Sequence, residues 1–165
     1  MFQEIRESRA LAYSTYAFYG SPSKEDKAHY LQAYVGTQAN KLKDAVTAVR
    51  EILNDMPISD EQIQTARNSI MKKIETERVN GSDRYWAGRA AAERGMDKDI
   101  REDVYEKMKD VTVAELKAFQ EENVKDRDYI IMVLGSKENI GEEGMEYLKT
   151  LGPVKKLSLE EVFGY

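Results

Sequence analysis

Residues 2–20, FQEIRESRALAYSTYAFYG, change character halfway along. Phe2 and Ile5 stand three apart among Gln3, Glu4, Arg6 and Glu7, the spacing of an apolar face on a helix. From Leu11 to Tyr19 the residues turn rich in Tyr, Thr and Phe, the composition of a strand. The stretch predicts the closing turns of a helix over 2–9 and a β-strand over 11–19. The capped start of that helix is missing, so the reading expects a domain truncated on its N-terminal side. Gly20-Ser21-Pro22-Ser23 then punctuates, and Ala28–Gly36 resumes the strand composition, which predicts a hairpin.

Beyond the hairpin the pattern becomes helical. Leu42, Ala45, Val46, Val49, Ile52, Leu53 and Met56 keep helical spacing until Pro57 stops the run. Ser59 and Gln62 form a capping box, and Ile63, Ala66, Ile70 and Ile74 continue as an apolar stripe. The two helices predict an αα-hairpin across Met56–Asp60. Gly81 and Ser82 read as a break before a third helix, Asp83–Arg94, ended by Gly95, and a shorter helix follows over about Ile100–Met108. Thr112 and Glu115 supply a second capping box, with Val111 and Leu116 as its staple. Asp128–Leu134 reads as a buried strand ended by Gly135, followed by a helix from Glu142 to Leu151 and an extended tail, Val154–Leu159.

This order predicts an α+β fold: an antiparallel sheet with helices packed on one face. The hairpin strands need a third partner, for which Asp128–Leu134 is the candidate. No repeat, low-complexity tract or long linker divides the chain, so residues 1–165 are expected to form one partial domain.

Composition removes several functions from consideration. The 30 acidic residues exceed the 25 Lys and Arg, giving a net charge of −5 with signs mixed along the helices, which argues against nucleic-acid and anionic-membrane partners. No apolar run nears the ~18 residues that suggest a membrane span. The absence of Cys excludes disulfide and thiolate chemistry but leaves the compartment open between cytoplasm and bacterial periplasm. The single histidine, His29, cannot by itself build a zinc site, which normally gathers three or four protein ligands, and is read as structural. There is no G-x-S-x-G elbow or phosphate-binding glycine loop; Gly81, Gly88 and Gly95 read as helix packing and termination. Glu75, Glu77, Glu142, Glu143, Glu160 and Glu161 read as solvating and helix-end charges.

Tyrosine is the unusual residue. Tyr16, Tyr19, Tyr30 and Tyr34 fit cross-strand packing in the hairpin. Tyr13 lies seven residues after Arg6, a spacing that lets a guanidinium and a phenol converge on one sheet edge, where they could donate to a peptide carbonyl or its oxyanion. A surface Arg–Glu pair beside a packed tyrosine explains the same residues.

The run Phe2-Gln3-Glu4-Ile5-Arg6-Glu7-Ser8-Arg9-Ala10-Leu11-Ala12-Tyr13-Ser14 resembles the L-F-x-x-[IL]-R-E-x-R-G-L-A-Y-S signature of the insulinase/pitrilysin family of zinc metallopeptidases. The resemblance continues in order through the hairpin, the long amphipathic helix, Ser59-Asp60-Glu61-Gln62, Val111–Leu116 and Val133-Leu134-Gly135. It implies a domain of a clamshell peptidase whose other, N-terminal half carries H-x-x-E-H and the zinc. This sequence has no H-x-x-E-H, so it resembles the non-zinc half, needs no metal of its own and is expected to be inactive alone. By the resemblance, Arg6 holds the peptide substrate and Tyr13 both binds it and stabilises the tetrahedral intermediate. Ala10 stands where the family has glycine; if the position takes positive φ, alanine is strained there.

The implied partners are a zinc-binding half, in the same chain or a separate subunit, and a peptide. An incomplete domain would also expose a sheet edge through which two copies could dimerise. Two other readings compete: a non-catalytic structural or interaction subunit of the same family, and a self-standing peptide binder that adds a strand to the hairpin edge.

Overall fold

The computed structural model describes residues 5–7, 9–22 and 24–164. The chain is mixed α+β, and the sheet among these residues is an antiparallel pair, β1 (Ser14–Gly20) and β2 (Tyr30–Gly36). Helices follow at α1 (Leu42–Asn54), α2 (Asp60–Thr76), α3 (Gly81–Glu93), α4 (Ile100–Asp110), α5 (Val113–Asn123), α6 (Lys137–Leu151) and α7 (Leu159–Phe163), with a 3-10 turn at Ala39–Lys41. Of the helix expected over 2–9, Phe2, Gln3, Glu4 and Ser8 lie outside the described residues, and residues 5–7 form a π-helical turn.

Strand β2 alternates as one side of a one-sided sheet should, whereas β1 is exposed from Tyr16 through Tyr19. Leu31, Ala33 and Val35 are half-buried, whereas Tyr30, Gln32 and Tyr34 face solvent. Cross-strand rings set the register: Tyr16 stacks on Tyr34 at 5.1 Å between centroids, and Phe18 meets Tyr30 edge-on at 5.8 Å. The Tyr30 ring lies over Gly20, where a Cβ would displace it.

Two compact units divide the chain, and the division cuts both strands and α1. The first comprises the described residues of Met1–Tyr16, Tyr34–Arg50 and Tyr129–Tyr165. Its buried apolar side chains are Ile5, Leu42, Ala45 and Ala48. The 3-10 turn and the start of α1 lie against α6, where Thr47 Oγ1 and the Tyr147 hydroxyl are 3.1 Å apart and Lys43 pairs with Glu143 at 3.6 Å. Gly141, with φ of 73°, interrupts α6, which is why the periodicity placed the helix start at Glu142.

The second unit, Ala17–Ala33 and Glu51–Asp128, buries Ile52, Ile63, Ala91, Val111 and Val124. Here α2 packs on α4, and Arg67 Nη2 donates to the Val111 carbonyl that ends α4. The hairpin tip is tied down by Arg94 Nε donating to the Pro22 carbonyl at 3.1 Å and by Tyr19 meeting Phe119 edge-on. Gln120, a buried polar side chain, donates to the Leu53 and Asn54 carbonyls at 2.6 and 3.1 Å and so caps the C-terminus of α1.

Three expectations need correction. Asp128–Leu134 has the composition of a strand but belongs to no sheet, and its side chains, Tyr129 apart, are exposed; β-propensity gives a strand only where a neighbouring backbone meets it. Gly81 and Ser82 open α3 instead of preceding it, because Asn80 caps it through a box with Asp83. The extended tail gives way at Leu159 to α7, capped by a Ser158–Glu161 box.

Glu115 shows how much chemistry one helix start concentrates. Lys107 Nζ donates to its carboxylate at 2.6 Å and the Thr112 amide at 2.9 Å, which together hold its pKa at about 2 against an ordinary 4.5. The stabilisation from this depressed pKa is complete above pH 4.5 and is lost as the pH falls toward 2. Glu115→Gln should therefore flatten the acid side of the stability profile across that window, read as denaturation midpoint against pH. Replacing Gln120 by Leu leaves the two α1 carbonyls without their donor and should cost about 1–3 kcal/mol in chemical unfolding.

Candidate functional site

Arg6 and Tyr13 both belong to the first unit. The Leu11 amide donates to the Ile5 carbonyl at 2.9 Å, closing the intervening chain into a loop with fully buried Ile5 at its root. Arg6 leaves that root with an exposed side chain. On the other side of the loop, the Thr37 hydroxyl donates to the Leu11 carbonyl and the Tyr13 amide donates to the Gly36 carbonyl at 2.9 Å. The Tyr13 backbone is thus fixed to the end of β2 while its side chain is 86% exposed. Arg6 lies inside this closed loop and Tyr13 two residues beyond it, and both residues are exposed.

The loop turns at Ala10, whose φ of 48° is left-handed. Alanine reaches that region at a cost of roughly 1–2 kcal/mol, which glycine avoids. The strain anticipated for this position is present. It sits four residues after Arg6 and three before Tyr13, where any change in the turn redirects both.

A second concavity lies in the other unit, between the end of α2 and α4. It encloses about 320 Å³ and is lined by Ile74, Val79, Asp99, Arg101, Tyr105 and their neighbours. Its polar groups are already engaged. Arg101 is clamped by Asp99 and by Glu77 at 3.0 Å, which raises its pKa further. Tyr105 donates to Glu75 at 2.6 Å, and that hydrogen bond raises its pKa, the wrong direction for a phenolate.

His29 stacks on Tyr19 with ring centroids 5.4 Å apart. Among the described residues, no group of three or more His, Asp or Glu side chains converges as a metal site. Nor is any helix there long and apolar enough to cross a membrane. Sequence reasoning singled out Arg6 and Tyr13 but missed the 5-to-11 closure that joins them. Its signal was the buried Ile5, read only as a helix-face residue.

No family model, curated protein or solved structure matches the chain.

Ala10→Gly should raise stability by about 0.5–1 kcal/mol, the relief of the left-handed strain less the added freedom of the unfolded chain. Thermal unfolding tests it. A loss of stability would mean that the alanine methyl packs usefully in the turn.

Proposed function

We propose that this chain is part of the substrate-binding, non-zinc half of an insulinase/pitrilysin-type zinc metalloendopeptidase. Three features support the reading. The Phe2–Ser14 run follows the family signature almost residue for residue. Ala10, where the signature has glycine, adopts the backbone conformation that glycine at that position would favour. The observation that carries most weight is Tyr13: a phenol on a fixed backbone with its side chain left open to solvent, two residues beyond the loop that holds Arg6.

In this reading Arg6 hydrogen-bonds the peptide backbone. Tyr13 donates to the carbonyl oxygen as water attacks, when negative charge develops there and the hydrogen bond strengthens. The zinc that polarises that carbonyl and activates the water belongs to the partner half. The chain alone hydrolyses nothing.

A second reading is favoured by the exposed apolar side chains of Ile130–Leu134, a surface suited to assembly. It makes the chain a non-catalytic interaction subunit of the same family. The experiment is to combine the chain with the H-x-x-E-H half encoded in the same genome and follow cleavage of an unstructured peptide. With wild-type chain, turnover appears only on mixing. Tyr13→Phe should lower kcat by about 10²-fold with little change in KM, and Arg6→Ala should raise KM. A Tyr13→Phe complex as fast as the parent would remove the phenol from catalysis. Assembly without hydrolysis would favour the interaction subunit.

A further inference from the structure

We propose that Ile130–Leu134 is the pairing strand of a symmetric homodimer, joined antiparallel to the same segment of a second copy about a two-fold axis through Met132. The inference does not depend on the peptidase reading. It begins with exposure that alternates along an extended segment. Ile130 is 94% exposed, Met132 85% and Leu134 fully, whereas Ile131 and Val133 are 38% and 40%. That is the period-two pattern of a strand with one face wholly open.

The segment also lacks the charges and prolines by which an edge normally avoids self-pairing. Between Tyr129 and Leu134 there is no charge, proline or glycine, and three of the six residues are β-branched. Nothing in it would repel a second copy.

Symmetry selects the register. A two-fold axis relating antiparallel strands stands perpendicular to their sheet, so residues on the open face of one copy meet residues on the open face of the other. With the axis at Met132, Ile130 lies opposite Leu134 and Met132 opposite itself, while Ile131 lies opposite Val133 on the other face. All five positions then have apolar partners. Moving the axis to Ile131 would set Asp128 against Leu134. Moving it to Val133 would set Ile130 against Ser136 and Ile131 against Gly135. A foreign strand would need a matching sequence, whereas a second copy supplies its own complement.

Five residues span about 17 Å of strand. That contact falls below the ~800 Å² per partner of a standard interface, so association should be weak, with Kd roughly micromolar or higher.

Sedimentation equilibrium of the full chain from about 10 µM to about 1 mM tests the proposal, the expected result being a mass that rises and levels at the dimer. Met132→Lys places two ammonium groups face to face at the axis and should leave the chain monomeric throughout, with an unchanged circular dichroism spectrum. The sequence has no cysteine, so single thiols report the register directly. Met132→Cys should cross-link to itself on mild oxidation. Ile130→Cys should not, but a mixture of Ile130→Cys and Leu134→Cys should. These thiol variants keep the test open even if the lysine variant fails to fold. A wild-type chain that stays monomeric, a Met132→Lys chain that dimerises like the parent, a mass that climbs past the dimer, or cross-linking indifferent to position would each overturn the proposal.

Discussion

Each helix end leaves about four backbone groups without an intrahelical partner, and this chain has many helix ends and little core to hold them. Only nine apolar residues are buried among the described ones, three of them alanines. Burial of so few side chains cannot by itself dictate where the helices begin. Side-chain capping does it instead. Boxes at Ser59–Gln62, Asn80–Asp83, Thr112–Glu115 and Ser158–Glu161 open α2, α3, α5 and α7, and Gln120 and Arg67 reach across to close the C-termini of α1 and α4. The caps also set direction: each fixes the angle at which a chain segment enters its helix.

That dependence explains what the sequence disclosed. Ser59–Gln62 was legible because an apolar stripe of helical period follows it directly, and Thr112–Glu115 because the Val111–Leu116 staple brackets it. Asn80–Asp83 was hidden behind Gly81 and Ser82, whose composition signals a break although their backbone is helical. Ser158–Glu161 was overlooked because the helix it starts has five residues and no period to detect. The long-range caps were out of reach, since nothing local to Gln120 or Arg67 says which carbonyl will need a donor.

The strand reading of Asp128–Leu134 failed for a related reason. Propensity describes how a residue sits on a pleated surface, but the hydrogen bonds that make a strand come from another backbone. Alternation of exposure survives in the segment while pairing does not. The candidate site draws on residues close together in the sequence. Arg6, Ala10 and Tyr13 act over short sequence distances, so their spacing carries most of the geometry; only the Ile5–Leu11 closure and the tie from Tyr13 to Gly36 required the fold.

The openness of Tyr13 bears on how such a residue could work at all. A hydrogen bond offered to an oxyanion in bulk water competes with water itself, and its contribution over water is small. The same phenol becomes a strong selective donor once a second surface excludes solvent and fixes the reacting carbonyl against it. A fixed backbone with an exposed side chain suits that arrangement: the Tyr13 amide bond to Gly36, braced by the Thr37 bond to Leu11, sets position in the chain itself, and on the proposed function desolvation would come with the covering surface. An intermediate donor strength in the free chain and a strong one in the complex would make catalysis conditional on closure. By the same logic, a partner that covers Tyr13 without bringing a metal would convert the same geometry into a binding contact. On the proposed function, the contribution of the phenol is decided by the surface that covers it, and the reconstituted pair is where that contribution can be measured.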